Sequence, residues 1–299
     1  MATRYPFGTS DWQRSNVRHM AKTFFVDSAH PQANNSASQG QSPDVPFSTI
    51  HYAVTRCTAG VGDVIYAAPR HVETISAAAA LTIDKAGVEV VGIGFGTYRP
   101  TLLYTATAGT VELDATCRLE NLIFKASISA VAVGINVDAD HVEITRCFET
   151  FDETGDDFVI LCDVDTVNHA WIHHNHFTTE IAAGADSGVR LDTAHWARVE
   201  DNDFHGQWAK APIVGEGALS SNLRILRNAI FNADTSVYNG IDIGALSSTG
   251  LIAGNRVTAL YATAVAKIFR DGLCTFHDNS WANAVSERGA AALPATTSA

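Results

Sequence analysis

Four side chains in the middle of this chain have types and spacings suited to acid–base chemistry: Asp138, Asp156, Asp157 and His174. They stand in short polar runs: Asn136-Val-Asp138, Gly155-Asp-Asp157, the histidines 173, 174 and 176, and Arg190-Leu-Asp192. A protonated carboxyl and a carboxylate holding a water, ~6.5–9.5 Å apart, can hydrolyse a glycosidic bond with inversion. The better account of the same residues is solvated loop carboxylates, the usual state of Asp. Elimination chemistry would need carboxylate-bound Ca²⁺ beside an Arg or Lys base. No such trio stands beside a cation, and Asp152-Glu-Thr-Gly-Asp-Asp157 lacks the spacing of a calcium loop. On one strand His174 and His176 would face one side and His173 the other, so at most two converge, short of a zinc site. No metal and no cofactor is expected. Val91-Gly-Ile-Gly-Phe-Gly96 has glycines but no following helix, so it is not a dinucleotide loop.

The elements that would position these residues recur along the chain. Around Ile172 the sequence reads His169-Ala-Trp-Ile-His-His-Asn-His-Phe177: an apolar anchor, Asn three residues later, a large apolar residue five later. The pattern returns with anchors at Val199, Ile225, Ile252 and Phe276, and more weakly at Val90, Leu119 and Ile144. Successive anchors are 29, 25, 28, 27, 26, 27 and 24 residues apart. Such a period marks a repeat architecture. Second strands lie between the anchors at Gly134–Val137, Gly188–Leu191, Ile213–Val214 and Gly240–Ile243, alternating with period two. Two or three short strands per period make one coil of a parallel β-solenoid. Asn175, Asn202, Asn228, Asn255 and Asn279 would then stack as an asparagine ladder at ~4.8 Å spacing. Phe95, Phe124, Phe177, Phe204, Ile230, Val257 and Trp281 would form a second, inward column.

Upstream, Phe24–Asp27 reads as a strand and His30–Asp44 as a polar loop. Apolar residues at 47, 50, 54 and 57 predict an amphipathic helix over about 46–58, laid across the open end of the solenoid as a cap. The expected organisation is an N-terminal arm (1–22), a solenoid (23–282) and an Ala/Thr/Ser-rich tail (283–299). The five cysteines show no metal spacing and read as reduced, buried thiols.

A net charge of −12 argues against nucleic-acid binding. No window is apolar enough for a membrane span, and the N-terminus lacks a signal-peptide core. The arm holds Arg4, Arg14, Arg18 and Lys22 against Asp11, so it carries +3 beside a remainder of −15. With Tyr5, Phe7 and Trp12 it reads either as a frayed terminus or as a segment that orders on a partner, Arg14 and Arg18 assisting.

The succession Phe25-Val-Asp27, polar loop, Pro46-Phe-Ser-Thr-Ile50, Gly62-Asp-Val-Ile-Tyr66 and Pro69 resembles the opening of right-handed parallel β-helix proteins of the pectate-lyase-like superfamily. With the ladders, the resemblance covers roughly residues 23–281. It implies an all-β, single-stranded right-handed parallel β-helix of about eight to nine coils with an N-terminal capping helix. Within the superfamily the polar runs echo the Asn-Thr-Asp, Gly-Asp-Asp, Gly-His-Gly and Arg-Ile-Lys order of polygalacturonases. Here Gly-His-Gly is missing and Asp192 replaces the Lys that would grip a uronate.

The apolar-aromatic arm looks most like β-helix virion proteins of tailed phages. This implies a non-enzymatic capsid decoration or spike, assembled in the host cytoplasm and located on the virion. The expected partners are further copies of the chain in a closed trimer, a capsid or other virion protein, and a host surface glycan. The alternative is a tailspike-like hydrolase or lyase acting on polysaccharide.

Overall fold

A computed structural model describes residues 21–153, 155–179, 185–233, 240–243, 248–259, 269–270, 272–283 and 288–291. The arm residues Tyr5, Phe7, Trp12, Arg14 and Arg18 and most of the tail lie outside the described residues.

Each coil contributes one strand to each of three sheets, and the chain winds as a parallel β-solenoid of right-handed type. Among the described residues the first sheet has ten strands, from Thr23–Val26 to Thr275–His277. The second also has ten, from Val72–Ile75 onward, and ends in an antiparallel pairing of Asn279–Asn283 with Arg288–Ala291. The third has eight, from Leu81–Thr82 to Phe269–Arg270. Eight strands are separated by seven coil-to-coil steps, about seven turns, slightly fewer than the eight to nine coils read from the anchors.

Register explains why the repeat was visible. Val90, Leu119, Ile144, Ile172, Val199, Ile225, Ile252 and Phe276 are direct neighbours across the first sheet. Ile65 and Phe24 extend the column upstream, one residue per strand. All face inward, because alternate residues of a strand share a face and this face meets the core. At about 4.8 Å per step the column runs roughly 43 Å.

The inward column of the second sheet differs from the expectation at Phe95. Phe95 is 78% exposed. The chain loops out over 93–99, and Leu102 takes the position beside Phe124. The next coil is one residue short in sequence. There Phe148 turns outward, and Glu149 lies beside Phe124 in the column that continues through Phe177, Phe204, Ile230, Val257 and Trp281.

The capping helix is shorter than the expected 46–58, spanning Ile50–Arg56. Thr49 caps it through Tyr52 N, and Ile50, Ala53 and Val54 are buried against the first coils. Glu73 reaches the first turn: Oε2 accepts from Ile50 N at 2.8 Å and Oε1 from His51 N at 3.2 Å. Buried Asp63 joins Lys22 N at 2.6 Å to Thr58 N at 2.7 Å. Among the described residues no helix is long and apolar enough to cross a membrane.

Candidate functional site

The corner between the first and second sheets shapes much of the polar chemistry. Its leading residue is left-handed in every coil from Asn121 (φ 61) and Arg146 (φ 55) through His174 (φ 56), Asp201 (φ 56), Arg227 (φ 55) and Gly254 (φ 68) to Asp278 (φ 55). The following residue points inward, and from coil to coil it is Asn175, Asn202, Asn228, Asn255 and Asn279, all buried. Asn202 Oδ1 accepts from both N and Nδ2 of Asn175 at 3.0 Å. The same pair of bonds joins Asn202 to Asn228, Asn228 to Asn255 and Asn255 to Asn279. Each Nδ2 also reaches an anchor carbonyl, as Asn202 does to Ile172 O at 2.9 Å. The column ends upstream where Cys147 N donates to Asn175 Oδ1 at 2.9 Å. One coil further up, Asn121 sits at the left-handed position, and Leu122 points inward.

The acid–base candidates are spread over three places. Asp157 lies at the start of the strand Phe158–Asp165, and its Oδ1 accepts from Ala130 N at 3.0 Å. Asp138 follows the far end of the neighbouring strand Val131–Val137. Eight residues separate Ala130 from Asp138, roughly 25 Å at about 3.3 Å per residue. That is far beyond the span of a hydrolytic carboxyl pair. Asp156 Oδ2 accepts from Glu153 N at 3.3 Å within its own loop. His174 occupies a corner of another sheet. The histidines do not share a strand: His173 ends Trp171–His173 in the first sheet and His176 begins His176–Thr178 in the second. His173 and His174 do meet, Nδ1 to Nδ1 at 2.8 Å.

Two charged arrays that sequence inspection missed lie on outer faces. On the first sheet, Glu143 accepts from His173 Nε2 at 3.0 Å, which leaves His173 Nδ1 to accept from His174. Burial holds the His173 imidazole below its ordinary pKa, against the opposing pull of Glu143. One coil on, buried Glu200 is gripped bidentately by Arg198 at 3.0 and 2.9 Å and approached by Arg224 and Arg227 at 3.5 Å. Trp171 is stacked between, its ring 3.9 Å from that of His173 and 4.4 Å from the Arg198 guanidinium. Glu143, Trp171, His173, Arg198, Glu200 and Arg224 each stand one residue before or after an anchor, so polar residues flanking each anchor were the signal that could have found them.

On the third sheet, Glu112, Asp114 and Asp138 bring carboxylate oxygens within 4.8 Å of one another. Asn136 Nδ2 bridges Glu112 and Asp138 at 2.9 and 2.8 Å. Packing and then the neighbouring carboxylates, Glu112 foremost, raise the pKa of Asp138, and the same causes raise Asp114. Three such oxygens can approach a hard cation, but Asp114 and Asp138 are open to solvent. Asp165 and Asp192 continue the acidic row, paired directly across the sheet.

Among the described residues the five cysteines form no disulfide; four are buried and Cys274 is partly so. Burial pushes Cys57, Cys117 and Cys147 up to about 12.

No protein-family model and no curated protein matches this sequence. Among solved structures, one titled Geobacillus virus E2 ORF18 is similar at a TM-score of 0.40 and 11% identity. The match covers 87% of this chain and 61% of that one, so this chain spans less than two thirds of its length.

Proposed function

We propose that the chain is a non-enzymatic structural protein of a tailed-phage virion, a capsid decoration or spike with a rigid solenoid body. The observation that carries this reading is the continuity of the ladders. The anchor column joins all ten strands of the first sheet, and the asparagine column links the last five coils through paired hydrogen bonds. Stacked coils that each bond to their neighbours make a stiff rod. The dispersal of Asp138, Asp157 and His174 over separate corners supports a body without hydrolytic chemistry. The proposed assembly is a trimer, attached through residues 1–22 to a capsid protein or a neighbouring copy.

The test is attachment to particles. The full chain is expected to co-purify with density-gradient-purified virions. A chain lacking residues 2–20 should keep nearly the same melting temperature and be missing from the particles. Decoration at full occupancy by the truncated chain would make the arm passive. Release of reducing sugar from a polysaccharide panel, lost in Asp156→Asn or Asp157→Asn, would replace the structural reading with an enzymatic one.

A further inference from the structure

Seven large apolar side chains stand exposed among the described residues, and four of them share one place. Val72, Ile93, Phe95 and Tyr98 gather where the first coils pass from the first sheet to the second, with Ile93 44%, Tyr98 47% and Phe95 78% exposed. Apolar side chains concentrated in this way mark an interaction surface. The outer face of the first sheet continues the patch. Phe25, Tyr66 and Val91 are direct neighbours across it, and on the next coil Glu120 follows and the charged array begins.

Between the two lies a cleft of about 200 Å³ lined by Phe25, Tyr66, Pro43, Pro46, Pro69 and Ile93, with Asp27 also on its wall. The Phe25 and Tyr66 rings stack at 6.1 Å. The volume is below the ~300–1,000 Å³ of small-molecule sites and suits a single large side chain. Asp27 Oδ1 accepts from Ala29 N at 2.9 Å, and exposed Asp44 is bonded only to Ser42 among the described residues. The cation that follows Pro69, Arg70, is turned onto the Tyr98 ring, 4.2 Å from its centre. The charge offered to an incoming segment is therefore negative.

We propose that this surface receives the N-terminal arm of a second copy of the chain, with Trp12 seated in the cleft. The inference rests on the reading of residues 1–22 as an attachment segment and names the surface that the segment grips. Residues 1–20 hold Arg4, Arg14 and Arg18 against Asp11, together with Tyr5, Phe7 and Trp12. Trp and Arg are the side chains that most often anchor a docked segment. In an extended segment alternate residues share a face, so Trp12 and Arg14 point the same way about 6.6 Å apart and Asp11 points the other way. With Trp12 in the cleft, Arg14 meets Asp27. The arm of the same chain is poorly placed for this. Lys22 N donates to Asp63 Oδ1 at 2.6 Å and Lys22 O accepts from Val64 N at 2.9 Å, so the arm joins the body one strand length from the cleft, at the opposite edge of the sheet. An arm gripping a neighbour is a head-to-tail contact, and three of them can close a trimer.

Sedimentation of the purified full chain, without particles, tests the assignment. The chain is expected to associate as its concentration rises. Trp12→Ala and Ile93→Asp should each weaken association at least tenfold at an unchanged melting temperature. Tyr66→Ser, a second change in the lining, takes the place of Ile93→Asp should that variant melt early. Trp12→Ala keeps an intact cleft and Ile93→Asp an intact arm, so an equimolar mixture should form heterodimers although neither variant associates alone. A full chain that stays monomeric, association indifferent to the substitutions, or a mixture that stays monomeric would each overturn the inference. None of these readouts involves a particle, so they are separate from the co-purification that tests virion attachment.

Discussion

Glu149 is a carboxyl in a column of Leu102, Phe124, Phe177 and Phe204, and it is 5% exposed. Its Oε2 and the Oδ2 of Asp157 are buried without a hydrogen-bond partner among the described residues. Burial, with Asp157 adding to it, pushes the Glu149 carboxyl well above its ordinary value of 4.5. The folded chain therefore holds this proton at pH values where the unfolded chain has released it. The resulting contribution to stability is fully present below about pH 4.5 and is lost as pH rises. Glu149→Gln should raise the melting temperature at pH 8, by ~1–3 kcal/mol in stability, and flatten its decline with pH. An unchanged pH profile would show that the carboxyl is not neutral in the folded chain. Asn202 gives the opposite expectation. Asn202→Ala removes the acceptor for Asn175 N and Nδ2 and two donated bonds, at a cost of ~1–3 kcal/mol. Asn34→Ala, in the exposed polar loop, should cost close to nothing. Equal melting shifts for the two would contradict a stabilising ladder.

At the scale of elements, the seven-residue helix Ile50–Arg56 is too short to be stable alone, and tertiary contacts hold it. Glu73 supplies the charge that a helix N-terminus favours, and His71 Nε2 lies 3.1 Å from its Oε2. Glu73→Ala should lower stability by ~1–3 kcal/mol and speed amide exchange over residues 50–56 before the solenoid itself opens. Exchange that stays uniform would mean that Glu73 does not fasten the cap. The acidic row on the third sheet acts in the opposite sense, because its like charges repel. Asp138→Asn should raise the melting temperature at low salt. The gain should fade near 1 M salt, where the screening length falls to ~3 Å. A gain that persists there would point to a cause other than charge.

For the whole molecule, stability passes from coil to coil through neighbours, so damage in the middle is felt throughout. Ile172 packs between Ile144 and Val199 in the anchor column, and Ile172→Ala should cost ~2–5 kcal/mol. One melting transition should shift as a unit. Two separate transitions would show that the coils on either side fold independently. Nearly all strand pairings join segments more than twenty residues apart, so folding is expected to be slow.

The coil period, the anchor column and the asparagine positions were legible in the sequence because stacking repeats the same environment every 24–29 residues. Each copy then needs the same residue type at the same place. The outward turn of Phe95 and the inward place of Glu149 were not legible. A loop and a one-residue deletion shift which side chain faces the core, and only strand pairing reveals the register. The carboxylates at 138 and 157 and the imidazole at 174 looked like one set because their spacing could place them on one sheet face of neighbouring coils. A coil places residues of one stretch on different sheets, and it brings together residues a full turn apart, such as Glu143 with His173 and Asn121 with Arg99. Sequence thus determined the period and the inward-facing chemistry, which the core imposes on every coil alike. The outer faces carry no such repeat, so only the tertiary structure decided which charged and aromatic groups meet there.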